Sequence, residues 1–207
     1  MNLYLDIETT GLPPKNSNWK IDYMRFPHIV SISWIYNGKE NDYIIKPDGY
    51  LIPDEATKIH GITNEMAIND GFDLRSVLLL LLIDSAEANK IIGHNVYFDI
   101  SIIKANVLRK IKNDKPVMFS KELNANIDIF NIANFNNTLH KDKRIDTMMK
   151  SIKFVNAKHK DGRGGKWPTL IELYDKLFND SFPAHNSMDD VRATKRCYEK
   201  LVKLGVI

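Results

Sequence analysis

The chain has 207 residues, of which 43% are hydrophobic and 27% charged, with a net charge of +3 and a single cysteine. That length and mixture suit one folded domain and exclude a disordered tail, a collagen-like fibre and a disulfide-stapled mini-protein. The longest apolar run, Val77 to Ile83, is too short to span a bilayer.

Asn2 to Ile7 reads as a strand running into Asp6-Ile7-Glu8, and Thr10-Gly11-Leu12-Pro13-Pro14 breaks it. Residues 15–26 are polar and turn-rich, a loop. His28 to Tyr36 is dense in Ile, Val, Trp and Tyr, which favours a strand. Asn37-Gly38, a strong hairpin signal, returns the chain toward Tyr43 to Ile45. The chain therefore opens with a three-stranded antiparallel meander. Asp54 to Lys58 reads as a helical turn and Gly61-Ile62-Thr63-Asn64 as a break. Asp73 to Asn89 is a helix so apolar over Val77 to Ile83 that burial on most of its faces is expected.

Lys90-Ile91-Ile92-Gly93 is a short buried strand ending at His94-Asn95. Phe98 to Lys110 is an amphipathic helix, with Ile100, Ile103, Val107 and Ile111 at three- and four-residue spacing. Residues 112–143 are Asn- and Lys-rich, with an apolar patch at Ile127 to Ile132. Arg144 to Met148 is a strand end and helix start, and Asp161 to Gly165 a flexible basic loop. Trp167 to Phe178 reads as a helix opening on Pro168, a favoured first-turn residue. Met188 to Leu204 is the last helix, with Val191, Thr194, Tyr198 and Leu201 on one face. No internal repeat or linker interrupts this order, so one α/β domain over residues 1–207 is expected.

Met1-Asn2 leads straight into the first strand without a basic region or cleavage site. Cys197 has no second cysteine to pair with. Both features predict a cytoplasmic or nuclear protein rather than a secreted one, with no membrane partner. Charge is uneven: residues 140–166 hold nine Lys/Arg against three acids, a net +6, while the remainder carries −3. A basic stretch on a mildly acidic body suits a polyanion.

Four places put a carboxylate where the backbone fixes its direction: Asp6 and Glu8 on the first strand, Asp99 at the head of the 98–110 helix, and Asp190 in the first turn of the last helix. Asp6 and Glu8, two apart on a strand, face the same side. Side-by-side carboxylates repel and are costly to desolvate, and a divalent cation relieves both costs. Oxygen ligands without cysteine or a histidine cluster select hard ions, Mg²⁺ or Mn²⁺. Taken singly, Asp99 and Asp190 also read as ordinary helix-start carboxylates.

Five segments in order carry a family resemblance: Asp6-Ile7-Glu8-Thr9-Thr10-Gly11-Leu12, Lys58-Ile59-His60-Gly61-Ile62-Thr63, Gly93-His94-Asn95-Val96-Tyr97-Phe98-Asp99, Ile145-Asp146-Thr147-Met148, and His185-Asn186-Ser187-Met188-Asp189-Asp190-Val191-Arg192-Ala193-Thr194. Together they resemble the DEDDh group of 3′→5′ exonucleases, the DnaQ-like family of the ribonuclease-H-like superfamily. Ser187 stands where the family commonly has Ala. Asn186 stands where a sister subgroup has Tyr, so the histidine-type reading holds. The family's spacing selects Asp190 rather than Asp189 as the third-motif ligand.

The resemblance implies a ribonuclease-H-like fold: a mixed central sheet of about five strands, the antiparallel meander first and then parallel strands, flanked by helices. It implies hydrolysis of phosphodiester bonds at a 3′ end, releasing nucleoside 5′-monophosphates, with two Mg²⁺ or Mn²⁺ ions in the site. Asp6, Glu8, Asp99 and Asp190 would hold the ions and His185 would act as general base. Thr9 and Thr10 would meet the terminal 3′-hydroxyl through backbone groups and Leu12 would wedge against the last base. Phe98 would stack on a sugar or base, and His60 and Asn95 would make polar contacts. From its charge, the 140–166 stretch would track phosphates. The expected partner is single-stranded nucleic acid with a free 3′ end, with a polymerase or other replication or repair protein as a further candidate.

DNA in proofreading or repair is the first expectation. The same chemistry on RNA, as in ribonuclease T or oligoribonuclease, is the second, and a non-catalytic nucleic-acid-binding subunit the third. Other motifs fail: Gly164-Gly165-Lys166 is followed by Trp167, so it is no P-loop, and His140 and His159 lack partners at zinc spacing.

Overall fold

The computed structural model describes residues 1–113 and 131–207. Strand β1 (Asn2–Thr9) is central to a five-stranded sheet of order β3-β2-β1-β4-β5. It pairs antiparallel with β2 (Ile29–Tyr36), which pairs antiparallel with β3 (Lys39–Ile44). The Asn37-Gly38 turn between them takes positive φ at both residues, 51° and 75°, as the twist of a tight hairpin demands. On the other side β1 pairs parallel with β4 (Lys90–Gly93), and β4 with β5 (Arg144–Asp146). This is the expected mixed sheet.

Strand periodicity divides β1 into two faces. Leu3, Leu5 and Ile7 join the large core with Trp34, Leu78, Leu81, Ile100 and Ile103. Tyr4 faces the opposite side, against Ile35, Ile92, Met188 and Val191. Asp6 and Glu8 alternate in step with Tyr4 and so emerge on that second face, at the strand's C-terminal end.

Helices α1 (Asp54–His60) and α2 (Asn64–Asp70) follow the meander. The sequence reads a break where α2 begins. The structure instead starts a helix there, because the Thr63 hydroxyl accepts the Met66 N–H as an N-cap. Helix α3 (Leu74–Glu87) buries Val77, Leu78, Leu81 and Leu82 but leaves Leu80 45% and Ile83 50% exposed, so burial on most faces is not what forms. Helix α4 (Val96–Asn113) follows β4 directly.

Gly93 permits that turn: a Cβ there would stand 2.9 Å from the Val96 Cβ and 3.1 Å from the Leu5 carbonyl oxygen. Helix α5 (Ile132–Thr138) precedes β5, and α6 (Thr147–Val155) continues from it. The apolar patch expected at 127–132 lies outside the described residues except for its last two positions.

Helix α7 (Leu170–Phe178) opens at a Thr169/Glu172 capping box rather than on Pro168. The Pro168 carbonyl instead accepts from His94 Nε2 at 2.9 Å. Helix α8 (Ser187–Lys203) packs on the second face of β1 and β2, and buried Cys197 joins its cluster with Leu173, Tyr174 and Leu201. Among the described residues no helix is long and apolar enough to cross a membrane.

Candidate active site

Helix α8 is held on the sheet by three small hydroxyls. Ser187 Oγ lies 2.9 Å from Ser31 Oγ and 2.7 Å from Ser33 Oγ, and Ser33 Oγ donates to Asp42 Oδ1 at 2.6 Å. Each hydroxyl has one proton and a carboxylate only accepts, so donation runs from Ser31 to Ser187 to Ser33 to Asp42. The sheet register sets Ser33 opposite Asp6 and Ser31 opposite Glu8. The same hydrogen-bond chain that docks α8 therefore brings its first turn over the two acids of β1. Arg192 fixes the next turn from outside, gripping Glu40 through two nitrogens at 2.6 and 3.0 Å and Asp189 at 2.9 Å.

The result is a cluster in which Asp6, Glu8 and Asp190 each offer a carboxylate oxygen, all within 4.8 Å of one another. Asp189 points to Arg192, so Asp190 is the acid of the pair that joins the cluster. Asp99, 3% exposed, adds its field to Asp6 from α4 without joining that oxygen cluster. Burial, then Asp99, Asp190 and Glu8 in turn, hold Asp6 well above the usual carboxylate range. Burial and the Asp190 charge push Glu8 up to about 7. Burial raises Asp190 to about 6 against the opposing pull of the His185 amide and imidazole.

Among the described residues no Lys or Arg forms an ion pair with Asp6, Glu8 or Asp190. Converging, half-desolvated oxygen donors without a cation of their own are a donor set that fits a hard divalent ion.

His185 is exposed and takes a left-handed backbone, φ 70°, which few residues other than glycine, Asn, Asp and His adopt. Its N–H donates to Asp190 Oδ2 at 3.2 Å, tying the loop before α8 to the acid five residues on.

Beside the acids opens a cavity of about 520 Å³ lined by Glu8, Thr9, Thr10, Leu12, His60 and Phe98, with Pro53, Glu55 and Ile59 completing the wall. Five of the six residues expected to touch substrate thus meet in one place. Leu12 is 82% exposed at its rim, a cost that packing does not explain. His60 ends α1, and its Nδ1 accepts the Ile62 N–H at 3.1 Å, while Nε2 is buried without a partner. The neutral ring therefore carries a proton on Nε2 with no acceptor for it among the described residues.

Asn95 is not at the cavity: it is exposed, at φ 69°, and its N–H donates to Asp146 Oδ1 at 3.0 Å. The Thr10 N–H is spent on the His28 carbonyl, 3.0 Å, and its hydroxyl accepts the His28 N–H, so its amide does not face the cavity free. Four of the nine cations in the 140–166 stretch are engaged within the chain. Lys143 donates to the Ser85 carbonyl, Arg144 to that of Leu139, and Arg163 and Lys166 pair with Asp161 and Glu172.

Residues that sequence reasoning passed over hold the site together. Asp146 Oδ1 accepts from the amides of Asn95, Met148 and Met149, joining the starts of α4 and α6. His94 is clamped between Thr147 Oγ1 at 3.0 Å and the Pro168 carbonyl. Ser31 and Ser33 had a visible signal: two serines in an apolar strand at the same two-residue spacing as Asp6 and Glu8.

The exonuclease family model named for RNase T matches residues 3–198. No curated protein matches the chain in sequence. Among solved structures, E. coli exonuclease I in complex with a dT13 oligonucleotide is 21% identical with a TM-score of 0.68. A moderately thermophilic exonuclease I from Methylocaldum szegediense is 18% identical with a TM-score of 0.64. Each alignment covers 98% of this chain and 40% of the other, so the chain spans well under half the length of these proteins. Their likeness places the sheet and helices in the ribonuclease-H-like fold. With the family match over nearly its whole length, the chain belongs to the DnaQ-like (DEDDh) 3′→5′ exonuclease family.

Proposed function

We propose that residues 1–207 form one exonuclease domain that hydrolyses phosphodiester bonds from the 3′ end of single-stranded DNA and releases nucleoside 5′-monophosphates. The observation that carries this is the meeting of Asp6, Glu8 and Asp190 within 4.8 Å at the edge of a cavity with an aromatic wall. Asp6, Glu8, Asp99 and Asp190 are the residues that would hold two divalent cations, Mg²⁺ or Mn²⁺. The cations supply Lewis-acid stabilisation of the charge that develops on the phosphoryl and leaving oxygens.

The chain's own residues do the rest. The His185 imidazole takes the proton of the attacking water, and its tether to Asp190 sets the distance. Phe98 and Leu12 hold the last nucleotide by stacking and wedging, contacts that tolerate any base. The orphaned Nε2–H of His60 donates to a sugar or base acceptor. The DNA reading draws on the oligodeoxynucleotide complexes of exonuclease I.

Digestion of a 5′-labelled single-stranded DNA and the matching RNA with Mg²⁺ tests it. A ladder shortening from the 3′ end, absent in Asp6→Ala and slowed about 10²–10⁴-fold in His185→Asn, is expected. His185→Asn keeps a side chain that tolerates the left-handed backbone. Faster loss of the RNA would move the substrate to RNA. Binding without cleavage of either would leave a non-catalytic module.

A further inference from the structure

Helix α4 leads away from the cavity with an unusual stripe. Tyr97, Ser101, Lys104, Leu108 and Lys112 recur at intervals of four, three, four and four residues, so they share one face. Three aromatic rings lie along that stripe, each met by cations. The Arg144 guanidinium is 5.4 Å from the Tyr97 ring centre. Lys104 and Lys20 ammonium groups are 5.5 and 5.7 Å from the Trp19 ring. Lys112 is 5.4 Å from the Tyr23 ring. From residue 97 to 112 the row extends about 22 Å at about 1.5 Å per residue.

Trp19 comes from the connection that follows β1 and Tyr23 from the 3₁₀ turn Tyr23–Arg25 within it, so the row is shared by the two segments that also build the cavity wall. Its first member, Tyr97, directly precedes Phe98.

Lys104 is the telling member. It is only 6% exposed, yet the charges acting on it are those of Arg144 and Lys20, both cations. Burial first and these two cations next push its ammonium down to about 8. A buried lysine ordinarily has an acid beside it. Here none of Lys20, Lys104, Lys112 and Arg144 forms an ion pair with a carboxylate among the described residues. A half-exposed ring, Tyr97, and unneutralised cations along one helix face are the recognition chemistry of a single nucleic-acid strand: a base on the ring, phosphates on the cations.

We infer that this row binds the 5′-ward part of the same strand whose 3′ end enters the cavity, with Tyr97 stacking on a base and Lys20, Lys104, Lys112 and Arg144 meeting phosphates. The inference rests on the exonuclease reading and adds a dependence on strand length, because a short strand held in the cavity leaves most of a row about 22 Å long unoccupied.

The test is binding of fluorescein-labelled dT12 and dT3, and of rU12 and rU3, read by anisotropy in EDTA over a salt series. For dT12 the triple variant Lys20→Gln/Lys104→Gln/Lys112→Gln lowers the slope of log affinity against log salt by about 2, at about 0.7 per phosphate contact on a single strand. The exposed pair Lys20→Gln/Lys112→Gln lowers it by about 1.4 and guards against loss of fold on altering the buried Lys104. Tyr97→Ala weakens dT12 binding about 5- to 140-fold, and Tyr97→Phe restores it.

The expected result is a loss on the 12-mers that far exceeds the loss on the trimers. The two sugars are distinguished by which 12-mer loses more. An unchanged salt slope, or equal losses on dT3 and dT12, overturns the inference. Because hydrolysis is not read, a chain that binds with the full slope yet fails to cut refutes the exonuclease reading alone.

Discussion

At the scale of single residues, the acidic site works against the fold that carries it. Glu8 is held at about 7 and Asp190 at about 6, against unfolded values near 4.3 and 3.9. An acid whose folded pKa is raised takes up a proton on folding. Its contribution is fully present below about pH 4 and is lost as pH rises through 6 to 7. Partly buried His28 and His94 and buried His60 pull the other way, because desolvation lowers their folded pKa, His28 to about 4. Stability from them rises with pH up to about 6.5.

The carboxylate effect is therefore read as a difference between proteins. In EDTA, Asp6→Asn should melt higher than the wild type at pH 8, by about 2–4 °C for each kcal/mol of repulsion removed, and the gap should shrink toward pH 5. Thermal melts across that range check it, and a gap that widens toward acid would contradict the assignment of these pKa directions.

At the scale of elements, the site depends on how α8 meets the sheet. Removing the Ser187 hydroxyl leaves buried Ser31 without its acceptor and Ser33 without a donor, while Ser33 keeps Asp42. Ser187→Ala should cost about 1–2 kcal/mol, roughly 2–8 °C in melting temperature. In a cycle with Ser33→Ala the two losses should fall short of additivity by at least about 0.5 kcal/mol. Strictly additive losses would mean the hydroxyls do not act as one chain.

The same contact shows what the sequence could disclose. The strands were legible because period-two burial and Asn37-Gly38 are local signals, and Asp6 and Glu8 were legible because two carboxylates in an apolar strand conflict with burial. Helix α2 was not, since Thr63 reads equally as a break or as the cap it becomes. The tasks of Asp146 and His94 were not legible either, because each depends on β4, β5 and the approach to α7 meeting in space. Ser187 reads as an indifferent replacement for Ala until Ser31 and Ser33 are seen opposite it.

At the scale of the molecule, α3 and α4 cover one face of the sheet and α8 the other, and both sides deliver acids to the C-terminal end of β1. Asp99 arrives on α4 from one layer and Asp190 on α8 from the other. A bound divalent cation would thus link both layers to the central strand, and its binding energy would appear as stability of the whole fold. At a concentration a hundredfold above the dissociation constant the gain should be about 2.7 kcal/mol, or roughly 5–11 °C for a chain of this size.

Protons compete for the same oxygens, so the gain should be larger at pH 8, above the values of Glu8 and Asp190, than at pH 6. Melts with Mg²⁺ or Mn²⁺ against EDTA at the two pH values measure it. Asp6→Asn, which removes the acid at the centre of the cluster, should abolish most of the gain while leaving the metal-free protein folded. A gain that survives this substitution undiminished would place the ion elsewhere and detach the acids of β1 from metal binding.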